Sequence, residues 1–219
     1  MPTALISPKA KNKSFDIYKF LETRPLSYSA LNAFSDDEWG NPEKWYQSYI
    51  LGIKQSSKYL DFGNYVDKKF QSDPTFLPTI PRIGKFQHKM EAVLILQKRK
   101  IPLIGFADQH KPIKRIATRD LKTGKQGAYQ WNQKKADTTE QLTFYALLHW
   151  LCDGIRSEDI DFYIDWVPTY EKADLKIDFV KPIVPVTFKT KRTMAQVIAL
   201  CSKIERTLEE MQEYVRNHK

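Results

Sequence analysis

Two apolar runs that each end in an aspartate limit this 219-residue chain more than any other feature. Ile104-Gly105-Phe106-Ala107 leads into Asp108, and Ile116-Ala117-Thr118-Arg119 leads into Asp120-Leu121-Lys122. A short cationic loop containing Pro112 separates them. Strands with a short connection pair as a hairpin, which sets Asp108 close to Asp120. Asp120 and Lys122 are two positions apart, so an extended strand projects both from one face. Two carboxylates and an ammonium therefore meet at one place. Converging carboxylates repel unless a cation lies between them, and an all-oxygen set suits Mg²⁺ or Mn²⁺. A lysine beside such an ion can orient a water or offset charge developing on a phosphate. Asp-x-Lys on a strand is more often an ordinary solvated pair. Here Asp108 closes a strand, and the Gly124 turn follows Lys122 directly.

Charge points to the partner. The chain carries a formal net charge of +9. From Pro81 to Lys135 there are fourteen Lys and Arg against three acids (Glu91, Asp108 and Asp120), a net +11. A basic segment that keeps acids where metal ligands are expected suits a polyanion, and nucleic acid is the expected partner. A solvated lysine-rich surface is the alternative. A hydrophobic content of 42% and a charged content of 28% are those of a soluble globular domain, and the length suffices for one sizeable core. No apolar run approaches a membrane span. Residues 1–13 lack a signal-peptide core and read as a frayed tail. The two cysteines, Cys152 and Cys201, fit a reducing compartment and form no ligand cluster. A cytoplasmic location, in a bacterium or a phage-infected host, is expected.

The chain then divides into a helical N-terminal wall over 14–80 and a core over 81–219. Ser27 or Ser29 caps a helix reaching Phe34. Pro42-Glu43-Lys44 starts another that presents Trp45, Tyr46 and Tyr49-Ile50-Leu51; these aromatics are read as packing, with base stacking the alternative. Leu60–Phe70 reads as a helix with Gly63 near its start. Three prolines make Ser72–Pro81 a loop. Phe86, Met90, Val93, Leu94 and Gln97 suggest a helix over Lys85–Lys98, with Glu91 read as a surface residue, a site role being the alternative, and His88 as structural or surface. Ile101–Ala107 and Ile113–Leu121 are the central strands. Tyr129-Gln130-Trp131 follows two glycine turns. Asp137-Thr138-Thr139-Glu140 reads as a capping box. It opens a buried helix that carries Gln141 and Tyr145 on one face. Alternation predicts strands over Ile160–Val167, Leu175–Phe179 and Ile183–Phe188. A long amphipathic helix covers Thr193–Tyr214, with Lys189, Lys191 and Arg192 before it as candidate phosphate contacts.

Gly-x-x-Asp, then Asp-Leu-Lys-Thr-Gly-Lys, then Gln-Leu-x-x-Tyr-Ala-Leu, in that order, resembles the core of the PD-(D/E)XK nuclease superfamily. The similarity is to its RecB-like and CRISPR-associated exonucleases and to related phage recombination exonucleases. It begins at Leu26-Ser27-Tyr28-Ser29-Ala30-Leu31, continues through Trp45-Tyr46, Tyr49–Gly52 and Phe62–Asp67, and covers most of the chain. The resemblance implies an α/β fold, with a mixed central sheet flanked by helices in a restriction-endonuclease-like core. It implies Asp108, Asp120 and the Leu121 carbonyl as ligands for Mg²⁺ or Mn²⁺, with Lys122 and Gln141 completing the catalytic set. Relatives place Gly-x-x-x-His where this chain has Gly63 and Asp67, so Asp67 is the candidate third ligand. Tyr145, Lys125, Arg119 and Arg192 are candidate nucleic-acid contacts. Relatives with an iron–sulfur cluster need four cysteines, so none is expected. The implied activity is metal-dependent phosphodiester cleavage in DNA, as an exonuclease in recombination, repair or phage DNA processing. An RNA endonuclease with the same metal core and an inert binding module of the same fold are the rivals. The sequence leaves oligomeric state open.

Overall fold

A computed structural model describes residues 15–35, 41–112, 116–127 and 130–218. Its frame is a six-stranded mixed sheet. Strands β1 (Lys85–Leu96), β2 (Arg99–Lys111), β3 (Ala117–Lys125), β4 (Asp161–Glu171) and β5 (Ile177–Phe179) follow one another across it. Strand β6 (Val186–Thr190) also pairs with β4. The β2–β3 pair is antiparallel, with Gln109 opposite Arg119. The β3–β4 pair is parallel, in register from Ala117↔Asp161 to Lys125↔Thr169. A parallel pair needs a crossover, here supplied by helices α5 (Gln133–Thr138) and α6 (Glu140–Asp153). The sequence-derived α/β class, a mixed sheet flanked by helices, is the fold observed. Residues 113–115 of the expected second central strand, and Tyr129, lie outside the described residues.

Two compact units gather these elements: 1–53 with 93–103 and 201–219, and 54–92 with 104–200. In the first, α1 (Ile17–Thr23), α2 (Tyr28–Ser35) and α3 (Pro42–Trp45) precede a π-turn at Tyr46–Ile50. Ser27 Oγ accepts the Ala30 amide as the expected cap. Trp45 is buried against the edge of Phe34 at 5.2 Å between centroids, so it packs as expected. In the second unit, α4 (Lys58–Ser72) is capped by Ser57 and buries Val66 and Phe70. These two pack with Phe76, Leu77, Ile80, Val167 and Phe179. Helix α6 is buried from Leu142 to His149, as its apolar composition predicts. Helix α7 (Met194–Asn217) buries Val197, Leu200, Cys201, Ile204, Leu208, Met211 and Val215, whereas Ile198 is exposed.

Two expectations are corrected. Lys85–Lys98 is not a helix but strand β1 with the start of a turn. Its burial alternates without a break, even-numbered residues inward and odd-numbered outward. Phe86, Met90 and Leu94 lie four apart, a spacing that fits a helical face and also two strand periods. The turn, Gln97-Lys98, has positive φ at both residues (46° and 65°), as a two-residue hairpin requires, but lacks Asn or Gly to announce it. The capping box is also absent. Asp137 lies within α5 and accepts from Gln133, while the extended Thr139 separates α5 from α6 and makes no side-chain cap.

Candidate active site

The β2–β3 register brings Asp108 and Asp120 together. Gln109 faces Arg119, one position short of them, and Asp108 Oδ2 accepts the Leu121 amide at 2.7 Å. Lys122 projects from the same face as Asp120, and its Nζ lies 2.7 Å from Asp120 Oδ2. That oxygen is buried, and the ammonium is its partner. The other oxygen, Oδ1, is held from α6: Gln141 Nε2 donates to it at 2.8 Å and also to Tyr145 Oη at 2.9 Å. The Tyr145 hydroxyl donates to the Phe106 carbonyl at 2.7 Å. Thus α6, through Gln141 and Tyr145 one turn apart, fixes the Asp120 carboxylate against β2.

Asp67 joins the same cluster. Gly63, one turn earlier on α4, lets that helix approach β3: a Cβ there would lie 3.4 Å from Thr123 Oγ1. Asp67 Oδ2 accepts from Gln71 Nε2 at 2.8 Å and from Gln87 Nε2 at 3.1 Å. The same Gln87 nitrogen donates to Asp108 Oδ1 at 3.1 Å. Three carboxylates and one lysine thus line an open cleft of about 400 Å³, with Tyr59, Leu60 and Phe106 at its sides.

Electrostatics follow from that crowding. Burial, then the charge of Asp120, push the Asp108 carboxyl up to about 7, against the opposing pull of Lys122 and the Leu121 amide. Asp67 is also raised, by burial first and then by Asp120, against the Gln71 hydrogen bond. Burial alone would lower Lys122, but Asp120 and Asp108 outweigh it and hold the ammonium above its ordinary value. Burial first, then Asp120 and Asp108, raise the Tyr145 phenol well above its ordinary value, so it acts as a neutral donor. Among the described residues no three acidic, histidine or cysteine side chains lie where together they could hold a metal ion; what suits a hard divalent cation is the pair of oxygen donors Asp108 and Asp120, whose crowding raises the Asp108 carboxyl.

The proposed nucleic-acid contacts divide. Lys125, the last residue of β3, is exposed. Tyr145 lies in the cleft wall, but its hydroxyl is taken by Gln141 and Phe106, so it positions rather than contacts. Arg119 and Arg192 are corrected. Arg119 adjoins Asp120 in sequence and so projects from the opposite face of the sheet. There it is buried and donates Nε and Nη2 to Asp165 at 2.7 and 2.5 Å. Arg192 is fully buried and donates to the Ala136 and Thr139 carbonyls, pinning the α5–α6 junction. Burial lowers its guanidinium to about 10. Sequence reasoning missed Gln71 and Gln87. Gln71 stands one helical turn after Asp67, a usable signal, while Gln87 was hidden by the helical reading of β1.

No protein-family model matches the chain, and no curated protein matches it in sequence. Among the described residues no helix is long and apolar enough to cross a membrane. Solved structures do match. A crystal structure named "Putative exonuclease" from Eubacterium rectale superposes with a TM-score of 0.57 at 15% identity, covering 99% of this chain and 88% of that one. The protein SSO0001 gives a TM-score of 0.50 at 12% identity, over 87% and 84% of the two chains. The alkaline exonuclease LHK-Exo from Laribacter hongkongensis gives 0.46 at 8% identity, over 90% and 93%. The first two show that this chain shares their fold.

Proposed function

We propose that this protein is a metal-dependent nuclease that hydrolyses phosphodiester bonds in DNA, acting as an exonuclease. The observation that carries the reading is the pairing of Asp108 and Asp120 beside Lys122, with Asp67 lining the same open cleft. The shared fold with a structure that carries an exonuclease name supports it. So does the net charge of +9.

Asp108 and Asp120, with the Leu121 carbonyl and Asp67, would hold Mg²⁺ or Mn²⁺. A cation bound there supplies Lewis acidity toward a phosphate oxygen and a water. The remaining roles belong to the protein. Gln141 keeps Asp120 aimed into the cleft, backed by Tyr145. The protonated Lys122 Nζ orients the attacking water and offsets charge growing on the phosphate. Lys125, exposed at the end of β3, would meet the nucleic-acid backbone. Duplex or single-stranded DNA destined for recombination or repair is the substrate class.

The test is cleavage of end-labelled single-stranded DNA, duplex DNA and RNA of matched sequence, in Mg²⁺ and in Mn²⁺. Mononucleotide release from DNA ends is expected. Asp120→Ala should abolish it while circular dichroism stays unchanged. Asp67→Ala should slow it by about tenfold or more, as loss of one ligand does. Wild-type rates in folded Asp120→Ala would sink the reading, and faster cleavage of RNA would transfer it to RNA.

A further inference from the structure

The left-handed backbone of Gln87 (φ 47°) is out of place in a strand, since its side chain is not glycine. Such a conformation is disfavoured and persists where the surroundings impose it. Gly84, three residues earlier, shows how they do so. Its φ is 52°, and a Cβ there would lie 1.9 Å from the His110 carbonyl oxygen. The entry to β1 is therefore pressed onto the β2 backbone two residues beyond Asp108. The result is an aimed side chain. Gln87 Nε2 stands 3.1 Å from Asp67 Oδ2 and 3.1 Å from Asp108 Oδ1, joining α4 to β2.

In the ionised form that a cation requires, both carboxylates only accept hydrogen bonds. The carboxamide must therefore present its nitrogen, one proton to each acid. It gives the pair two donors but no charge. The group stands between Asp67 and Asp108, two of the residues that would hold the cation. Oxygen ligands lie at roughly 2.0–2.6 Å from such an ion.

We propose that Gln87 is a positioning residue of the cation site: it holds Asp67 and Asp108 in place while no cation is bound, and its neutrality sets how tightly the cation then binds. The proposal rests on the reading of the cluster as a divalent-cation site. Without the amide, two like charges on separate elements have no common donor and drift apart, so the ion must gather its own ligands. With a glutamate in its place, a fourth carboxylate enters the cluster. Repulsion in the empty site then rises, and so does the attraction for the ion.

Gln87→Met keeps the side-chain length and removes the donors; Gln87→Glu keeps the shape and adds the charge. Mn²⁺ binding is measured by titration calorimetry without nucleic acid, and melting temperature is measured in EDTA and in excess Mn²⁺. For Gln87→Met, a lower melting temperature in EDTA and a Kd weaker by about tenfold are expected, the size of outer-shell effects on metal affinity. For Gln87→Glu, a still lower melting temperature in EDTA is expected, with a Kd tighter by about tenfold and the larger rise on adding Mn²⁺. A strut with no bearing on the cation would lower both melting temperatures equally and leave Kd within about twofold; that result overturns the proposal. If Gln87→Met does not fold, Gln87→Glu decides alone by the sign of its change in Kd. No Mn²⁺ binding by the wild type at about 10 mM, far above the usual range for oxygen-ligand sites, overturns both this inference and the cation reading. Mn²⁺ binding with the expected ordering in a protein that cleaves nothing overturns the nuclease reading alone.

Discussion

Asp108 is a residue whose charge the fold disfavours. Its carboxyl is raised from 3.8 to about 7, so between those values the native state keeps a proton that the unfolded chain has lost. Stability is therefore fullest at the acid end of that window and is lost as pH rises through it. Asp67 is shifted in the same direction. The melting temperature in EDTA should fall from about pH 5 to about pH 7.5 and then level off. Excess Mn²⁺ should flatten the curve, since the ion binds the ionised form. Scanning fluorimetry across that range checks this, and a melting temperature rising steadily in EDTA would contradict it. Asp108, Asp120 and Lys122 were legible in the sequence because strand parity and a hairpin need nothing but spacing. The same parity, applied strictly, excludes Arg119 from the face of Asp120. Gln71 acts within α4, one turn from Asp67, where helical spacing encodes it; Gln87 acts through contacts with elements distant in sequence, which no local pattern encodes.

At the level of elements, the site depends on how closely α6 lies on β2. Gly105 permits that approach: a Cβ there would come within 2.5 Å of Leu148 Cδ1 and 3.4 Å of the Tyr145 ring. Gly105→Ala should destabilise the protein by about 1–3 kcal/mol, the usual cost of overpacking. It should also slow catalysis by displacing Tyr145 and Gln141. Combined with Leu148→Ala, which alone removes a fully buried side chain, it should cost less than the sum of the two single substitutions in chemical denaturation; strict additivity would mean that the glycine matters for another reason. Strands β4, β5 and β6 were legible from alternation, β2 and β3 from their apolar runs, α6 from being apolar almost all round and α7 from its apolar stripe. Strand β1 was not, because its inward residues Phe86, Met90 and Leu94 share a spacing with a helix. The α5–α6 junction escaped for a different reason. Its conformation is fixed by Arg192, more than fifty residues downstream, whose guanidinium takes the Ala136 and Thr139 carbonyls.

Over the whole molecule the dominant quantity is charge. A net +9, with +11 concentrated between Pro81 and Lys135, makes association with a polyanion largely a matter of counterion release. Binding of DNA in EDTA should weaken by about tenfold or more between roughly 50 and 200 mM salt, even if only a few phosphates are neutralised. Fluorescence anisotropy measures the slope, and a flat response would contradict a groove that follows the backbone. Arg119 adds to the net charge but, buried against Asp165, should add nothing to that slope.

The Gln97-Lys98 turn has a consequence for the order in which the chain assembles. Both residues hold a conformation that L side chains disfavour, by about 1–2 kcal/mol each in a left-handed helix. The isolated hairpin has little reason to close by itself, so the flanking strands must force the turn into shape once they are packed. Replacing the pair with Asn-Gly relieves that burden. The variant should be more stable, and stopped-flow measurements should find the gain in a slower unfolding rate, with refolding nearly unchanged. A gain appearing instead in the refolding rate would mean that β1 and β2 meet first and that this hairpin seeds the fold.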